Sequence, residues 1–234
     1  MFLSAARAAV LCGADALEIG IPFSDPLADG PTIQRASQTA IDRGVTLGKT
    51  LELLEAHGRP LGVPLVLMTY TNPVFAMGIE TFCQRAAAAG VSGVLVSDLP
   101  PEELPSLASA LRARRLDRIL LVSPTTRAER IDRLAAAGSG FIYCLTRTGV
   151  TGAGGDFSGH LTEQVTRIRA RSSLPVIAGF GIRTDSDVER LRGLVDGVVI
   201  GARLLEILGA ARGPEQIEEP FSAFLRPIRE ALDG

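Results

Sequence analysis

The sequence predicts a parallel α/β protein: a (β/α)8 barrel whose first strand is missing from the chain. Three observations carry that expectation. Strand-like apolar runs alternate with helix-period segments, a pattern that calls for crossover helices over a parallel sheet. A Gly-led junction recurs at Cys12-Gly-Ala-Asp-Ala-Leu-Glu-Ile19, Ala89-Gly-Val-Ser-Gly-Val-Leu-Val96 and Ala137-Gly-Ser-Gly-Phe-Ile-Tyr143. In each, a helix ends in Gly, suited to a left-handed cap, and a buried strand follows. Finally, Thr146-Arg-Thr-Gly-Val-Thr-Gly-Ala-Gly-Gly-Asp-Phe-Ser-Gly159 has the length and composition of a lid at the C-terminal face of a barrel. That segment decides against an open doubly wound sheet.

The chain opens inside a helical run, 3–12, with no strand before it. The first strand run, 15–21, puts Leu17, Ile19 and Ile21 on one face and Ala16, Glu18 and Gly20 on the other. A parallel strand is buried on both faces, so Glu18 is expected to point into an interior. An unpaired carboxylate there costs several kcal/mol in its ionised form or has its pKa raised, which suits a general acid or base. Helices follow at 32–43 and 47–57, then a strand at 64–70, a helix at 79–89, a strand at 93–97 and a helix at 102–115. Glu102 and Glu103 at the start of that last helix, and Arg112, Arg114 and Arg115 near its end, suit the helix dipole. The strand at 118–122 leads to a helix at 126–137, the strand at 140–145 to one at 160–172, and the strand at 174–178 to one at 184–194. Thr126-x-x-Glu129 and Thr184-x-x-Asp187 read as capping boxes or their Asp variant. A strand at 196–200 and helices at 202–209 and 215–232 complete the chain. Seven strand runs leave a barrel one short.

With 234 residues, 46% hydrophobic, the chain has the size of a single barrel domain spanning 1–234. A net charge of -2 gives no electrostatic footprint for nucleic acid or an anionic membrane. No signal-peptide pattern or membrane-length apolar run is present. Cys12, Cys83 and Cys144 are odd in number and widely spaced, as for reduced, buried thiols of a cytoplasmic protein. Lys49, the sole lysine, opens a helix rather than ending a strand, so imine chemistry is not expected. His57 and His160 have no partner at ligand spacing, so no metal is expected either. Carboxylates are left to do the chemistry.

The last two strands run into Gly179-Phe180-Gly181-Ile182 and Gly201-Ala202-Arg203, each opening a helix. Such turns let backbone N–H groups approach an anion at a helix N-terminus, and barrels often bind phosphate after their final strands. Singly, each is as often a tight turn. Together, and with Gly152 in the lid, they favour a phosphorylated substrate. Arg203 is as compatible with the outer helix face as with an anion and is not assigned.

Five motifs then resemble one family. Glu18-Ile-Gly-Ile-Pro-Phe-Ser-Asp-Pro-Leu-Ala-Asp-Gly-Pro-Thr-Ile-Gln34, Leu67-Met-Thr-Tyr-Thr-Asn-Pro-Val-Phe75, Asp98-Leu-Pro-Pro-Glu102, Tyr143-Cys-Leu-Thr-Arg-Thr-Gly-Val-Thr-Gly152 and Gly179-Phe-Gly-Ile182 look like signatures of the tryptophan synthase alpha chain. They run in one collinear register from near residue 8 to the C-terminus.

The resemblance implies a TIM barrel that cleaves indole-3-glycerol phosphate to indole and glyceraldehyde 3-phosphate by a retro-aldol route without a cofactor. Glu18 matches the general acid/base, and Asp29 the carboxylate that accepts the indole N–H. Asp29 also fits as a plain turn residue in Ala-Asp-Gly-Pro. Tyr143 matches a tyrosine that positions the acid/base, Thr151 the lid residue closing on the Asp29 loop, and Arg147 a lid residue that aids closure. Gly152, Gly181, Gly201 and Ala202 match the phosphate-binding positions; Ala202 replaces a common Ser, and Ser97 a common Pro or Ala.

The implied partner is a PLP-dependent tryptophan synthase beta chain, in an alpha2-beta2 heterotetramer. Pro22, Phe23, Asp25, Asn72, Pro73 and Phe75 match its docking surface. Relatives carry about thirty further residues at the front, including the first strand and a Gly-Asp-Pro loop that lines the indole pocket. A barrel without them exposes two sheet edges and is expected to be unstable, to swap or to close wrongly. Two alternatives stay open: a catalytically impaired alpha-like chain that activates the beta chain, and a stand-alone lyase.

Overall fold

The computed structural model describes residues 1–146, 157–179 and 182–234, with residues 157–160 described by backbone alone. In chain order the elements are α1 (Phe2–Leu11), β1 (Leu17–Gly20), α2 (Pro31–Asp42), α3 (Leu47–His57), β2 (Leu65–Thr69), α4 (Thr71–Met77), α5 (Ile79–Ala88), β3 (Val91–Val96), α6 (Pro105–Ala113), β4 (Asp117–Arg118), β5 (Leu120–Val122), α7 (Ala128–Ala137), β6 (Ile142–Leu145), α8 (Phe157–Arg169), β7 (Val176–Gly179), α9 (Asp185–Glu189), β8 (Gly197–Val198), α10 (Ala202–Ala210) and α11 (Glu218–Asp233).

Every strand pair is parallel, in the orders β1-β2-β3-β4 and β5-β6-β7-β8. β4 and β5 are two halves of the run expected at 118–122. The first half pairs with β3 and the second with β6, and at the joint the Ile119 N–H donates to Val94 O at 2.9 Å. The two sheets are therefore one curved arc, as a (β/α)8 barrel requires. Among the described residues no strand precedes β1, and no pairing joins β1 to β8 at the arc's two ends.

Register separates the two faces. Leu65, Leu67, Val91, Val94 and Ile19 pack outward against Leu51, Leu54, Phe82 and Leu107 of the helices. Val66, Leu95, Ile119 and Tyr143 form the concave interior, with Met68, Leu121 and Val199 beside them. Glu18 pairs in register with Val66 and so belongs to the concave face. Its outward neighbour Ile19 is 5% exposed, which fixes the strand's orientation: a one-residue slip would put the carboxylate among the helices. α1 and α11 pack together near the arc's ends, where Arg229 bonds Gly13 O at 3.2 Å and Asp15 at 2.6 Å.

Several local expectations need correction. α4 lies where no helix was expected; Gly78, at φ 84°, separates it from α5, and its first N–H, that of Thr71, is satisfied by Asp98 at 2.8 Å. Thr126 caps no helix: its hydroxyl accepts from the Ser123 N–H at 2.9 Å, and α7 begins two residues later. Thr184 and Asp187 do form the reciprocal box. α6 starts at Pro105 rather than 102, because Pro supplies a helical φ at the first position. Glu102 instead bonds Arg130 across to α7. Of the three junction glycines, Gly13 and Gly90 are left-handed, at φ 94° and 77°, whereas Gly138 is extended at φ -95°. Among the described residues no helix is long and apolar enough to cross a membrane.

Candidate active site

The mouth of the arc is built by the C-terminal ends of its strands. Glu18 sits on β1, Asp29 on the loop after β1, Tyr143 on β6, and Gly201 and Ala202 follow β8. Glu18 Oε2 is sealed from solvent and has no hydrogen-bond partner among the described residues. Burial, and the charge of Asp29 next, push the Glu18 carboxyl up to about 7. A carboxyl so placed exchanges a proton near neutral pH in either direction.

Asp29 is half-buried, in a loop that turns where its N–H donates to Pro26 O at 3.0 Å. Gly30 and Pro31 begin α2, and Gln34 Nε2 donates to Asp29 O at 2.9 Å. The turn role is therefore satisfied by the backbone, and the carboxylate remains available. Tyr70, just past β2, donates its hydroxyl to Asp29 Oδ2 at 3.0 Å. Burial raises the Asp29 pKa, and this hydrogen bond opposes the rise.

Tyr143 is 3% exposed on the concave face. Burial pushes its phenol well above the usual range, and the charges of Glu18 and Asp29 push it the same way. The acid, the second carboxylate and the tyrosine expected from sequence thus share one electrostatic environment. Gly201 caps α10 and Ala202 is its first residue, so the free N–H groups of a helix start stand at the arc's rim. Arg203 is taken up by Glu206 at 3.1 Å and lies over the Phe224 ring at 5.9 Å. Arg147, Thr151, Gly152 and Gly181 lie outside the described residues. Thr146, the first residue of the segment expected to form a lid, is anchored to β7: its N–H reaches Gly179 O at 3.1 Å and its hydroxyl at 3.2 Å. No group of three His, Cys, Asp or Glu side chains among the described residues is arranged to hold a metal.

Tyr70 is the residue that sequence reasoning missed. The signal that could have found it is its position: a phenol directly after a strand that neighbours the Glu18 strand, at the end where barrel sites form. The matched rim residues stand partly clear of the fold: Asp25 and Asn72 are exposed and Phe75 is 52% exposed. Phe23 is half-buried and stacks on Tyr70, with ring centroids 5.1 Å apart.

Comparison with known proteins places these features in context. The family described as Tryptophan synthase alpha chain matches residues 2–233. A tryptophan synthase alpha chain of Dechloromonas aromatica is 48% identical over 225 residues, covering 96% of this chain and 84% of that one. Another, of Azoarcus sp., is 46% identical, covering 97% and 84%. Among solved structures, a Mycobacterium tuberculosis tryptophan synthase superposes with a TM-score of 0.87 at 36% identity, covering 98% of this chain and 86% of that one. A tryptophan synthase subunit alpha of Legionella pneumophila gives 0.87 at 34%, covering 99% and 87%.

Proposed function

Because this chain belongs to the tryptophan synthase alpha-chain family, we propose that it is the lyase subunit that splits indole-3-glycerol phosphate into indole and glyceraldehyde 3-phosphate. The single observation that supports this most is Glu18: a half-buried carboxyl on the concave face whose Oε2 is sealed from solvent, pushed up to about 7 by burial and then by the charge of Asp29.

The chemistry follows from those two acids. Protonated Glu18 delivers its proton to indole C3, and the positive charge that appears on the ring is met by ionised Asp29, which accepts the indole N–H. The bond between C3 and the side-chain carbon then breaks, and its electron pair restores the aromatic ring. The hydroxyl on the departing carbon gives its proton to the Glu18 carboxylate and becomes the aldehyde. Glu18 ends protonated, as it began, and no redox partner or external proton is consumed. Tyr143 packs within the field of both acids and positions Glu18. Gly152, Gly181, Gly201 and Ala202 hold the phosphate through backbone N–H groups; Ala202 keeps the N–H where a Ser would add a hydroxyl. Thr151 and Arg147 close the lid.

The whole chain, 1–234, acts as one barrel domain in the cytoplasm. The indole it releases passes to a tryptophan synthase beta chain docked on Pro22, Phe23, Asp25, Asn72, Pro73 and Phe75, in an alpha2-beta2 assembly. The test is Glu18→Gln, which keeps shape and removes the titrating proton. Indole release falls to background while the substrate still binds; undiminished turnover refutes the role. Stimulation of the beta chain without indole release by the unaltered chain would favour the activator reading. Full turnover with no beta-chain binding would favour a stand-alone lyase.

A further inference from the structure

The hydroxyl of Tyr70 has partners on both sides. It donates to Asp29 Oδ2 at 3.0 Å and accepts from the Ala28 N–H at 3.2 Å. The phenol ring stacks on Phe23, from the other end of the same loop. Three contacts from one loop therefore converge on a side chain that is 4% exposed. Tyr70 itself is fixed from behind. It occupies the position just before α4, and its neighbour Thr71 gives both its N–H and its hydroxyl to Asp98, each at 2.8 Å. Asp98 lies just past β3, so the post is anchored to two adjacent strands. The Asp29 backbone is held by Pro26 and Gln34, and the Tyr70 hydroxyl holds its carboxylate.

We propose that Tyr70 is a positioning residue for the cleavage: its phenol fixes the Asp29 carboxylate at the mouth of the arc and keeps it in the ionised form that accepts the indole N–H. The proposal rests on the reading of Asp29 given above and deepens it.

The charges facing Asp29 give the consequence its sign. Glu18 on β1 is an acid, and Tyr143 on β6 and Tyr70 beyond β2 are phenols. Asp98 lies behind Tyr70 and raises the Tyr70 pKa further. Burial raises the Asp29 proton affinity, and the Tyr70 hydrogen bond lowers it. Burial and neighbouring charge keep the Tyr70 proton in place, so it stays a donor throughout the working range.

The experiment uses the full chain carrying Tyr70→Phe, Asp29→Asn, or a fluorinated tyrosine at 70, which keeps the shape and donates more strongly. Two readouts are taken: the pH profile of kcat/KM for indole release, and the Asp29 carboxyl titration by carbon NMR. Tyr70→Phe is expected to lower kcat/KM about tenfold on the acid side, mostly through kcat. The ratio to the parent should recover as pH rises, and the Asp29 titration should move upward. The fluorinated tyrosine should move the titration and the acid limb downward. A pH-independent loss with an unmoved titration overturns the proposal alone, provided Asp29→Asn has abolished cleavage. Undiminished cleavage by Asp29→Asn overturns the Asp29 reading and takes the proposal with it. If Tyr70→Phe fails to fold, the fluorinated variant decides, because no shift there is equally fatal.

Discussion

The Tyr143 ring lies directly over the backbone of Gly179: a Cβ built on Gly179 would stand 2.3 Å from Tyr143 Cε1 and 2.4 Å from its hydroxyl. The two residues belong to neighbouring strands, with Leu145 paired to Gly179 and Tyr143 to Ile177. Glycine at 179 is therefore the space that the buried phenol occupies.

Gly179→Ala should accordingly destabilise the fold by about 1–3 kcal/mol, the usual cost of overpacking. It should also lower indole release, since Tyr143 must shift against Glu18. Urea unfolding and the activity assay measure the two. Tyr143→Phe should not rescue the variant, because the ring carbon remains in the way. Tyr143→Leu should recover part of the lost stability, seen as a favourable coupling in a double-mutant cycle. Simple additivity of Gly179→Ala and Tyr143→Leu would show that the ring is not the obstacle.

Glu18 should make stability depend on pH between about 4.5 and about 7. An unfolded chain releases this proton near 4.5, whereas the folded chain holds it to about 7. The folded state thus binds more protons across that interval, so its stability falls as pH rises through it. The contribution is complete below 4.5 and lost above 7, and its ceiling is about 3 kcal/mol. Glu18→Gln should flatten that slope in melting temperatures taken from pH 4.5 to 7.5. An unchanged slope would place the titration elsewhere.

The sequence made the strands legible because the buried parallel runs are apolar and β-branched, and their Gly-led entries repeat. It made Glu18 legible because a carboxylate on the second face of such a strand has nowhere dry to go except the interior. Asp29 and Tyr143 came from motif resemblance, since a turn aspartate or a core tyrosine has no local mark of function. Tyr70 was not legible: its role lies in bonds to Ala28 and Asp29, more than forty residues away in the chain. The failed capping box has the same origin. Thr126 finds the Ser123 N–H in its own turn, a local competitor that the four-residue pattern does not reveal.

Phe75 should carry a large share of beta-chain affinity. It is a large apolar side chain, 52% exposed, on a helix whose Val74 is fully buried and whose start is fixed by Asp98. A rigid aromatic anchor of this kind is typical of residues that dominate binding. Phe75→Ala should weaken beta-chain binding by about 2 kcal/mol, roughly thirtyfold, measured by calorimetry. The isolated chain's melting temperature should hardly move, because the ring is already half in water. Unchanged affinity would remove Phe75 from the docking surface.

The two ends of the arc should respond to an added strand. β8 is only half-buried, and neither α10, although apolar along Leu204, Leu205, Ile207 and Leu208, nor α2 buries any residue fully. These elements flank the place where, among the described residues, no strand pairs β1 to β8. A parallel strand seated there would bond both backbone edges and cover Val198, Val199, Ile200 and Leu204, at roughly 1 kcal/mol apiece. For a chain of this length that sum corresponds to roughly 10 °C in melting temperature. Fusing ahead of residue 1 a helix and strand segment designed to pair with β1 and β8 tests this directly, with size-exclusion chromatography alongside to detect exchange of strands between copies. A raised melting temperature and a clean monomer are expected. No gain in either would mean that α2 and α10 already seal the opening without a strand.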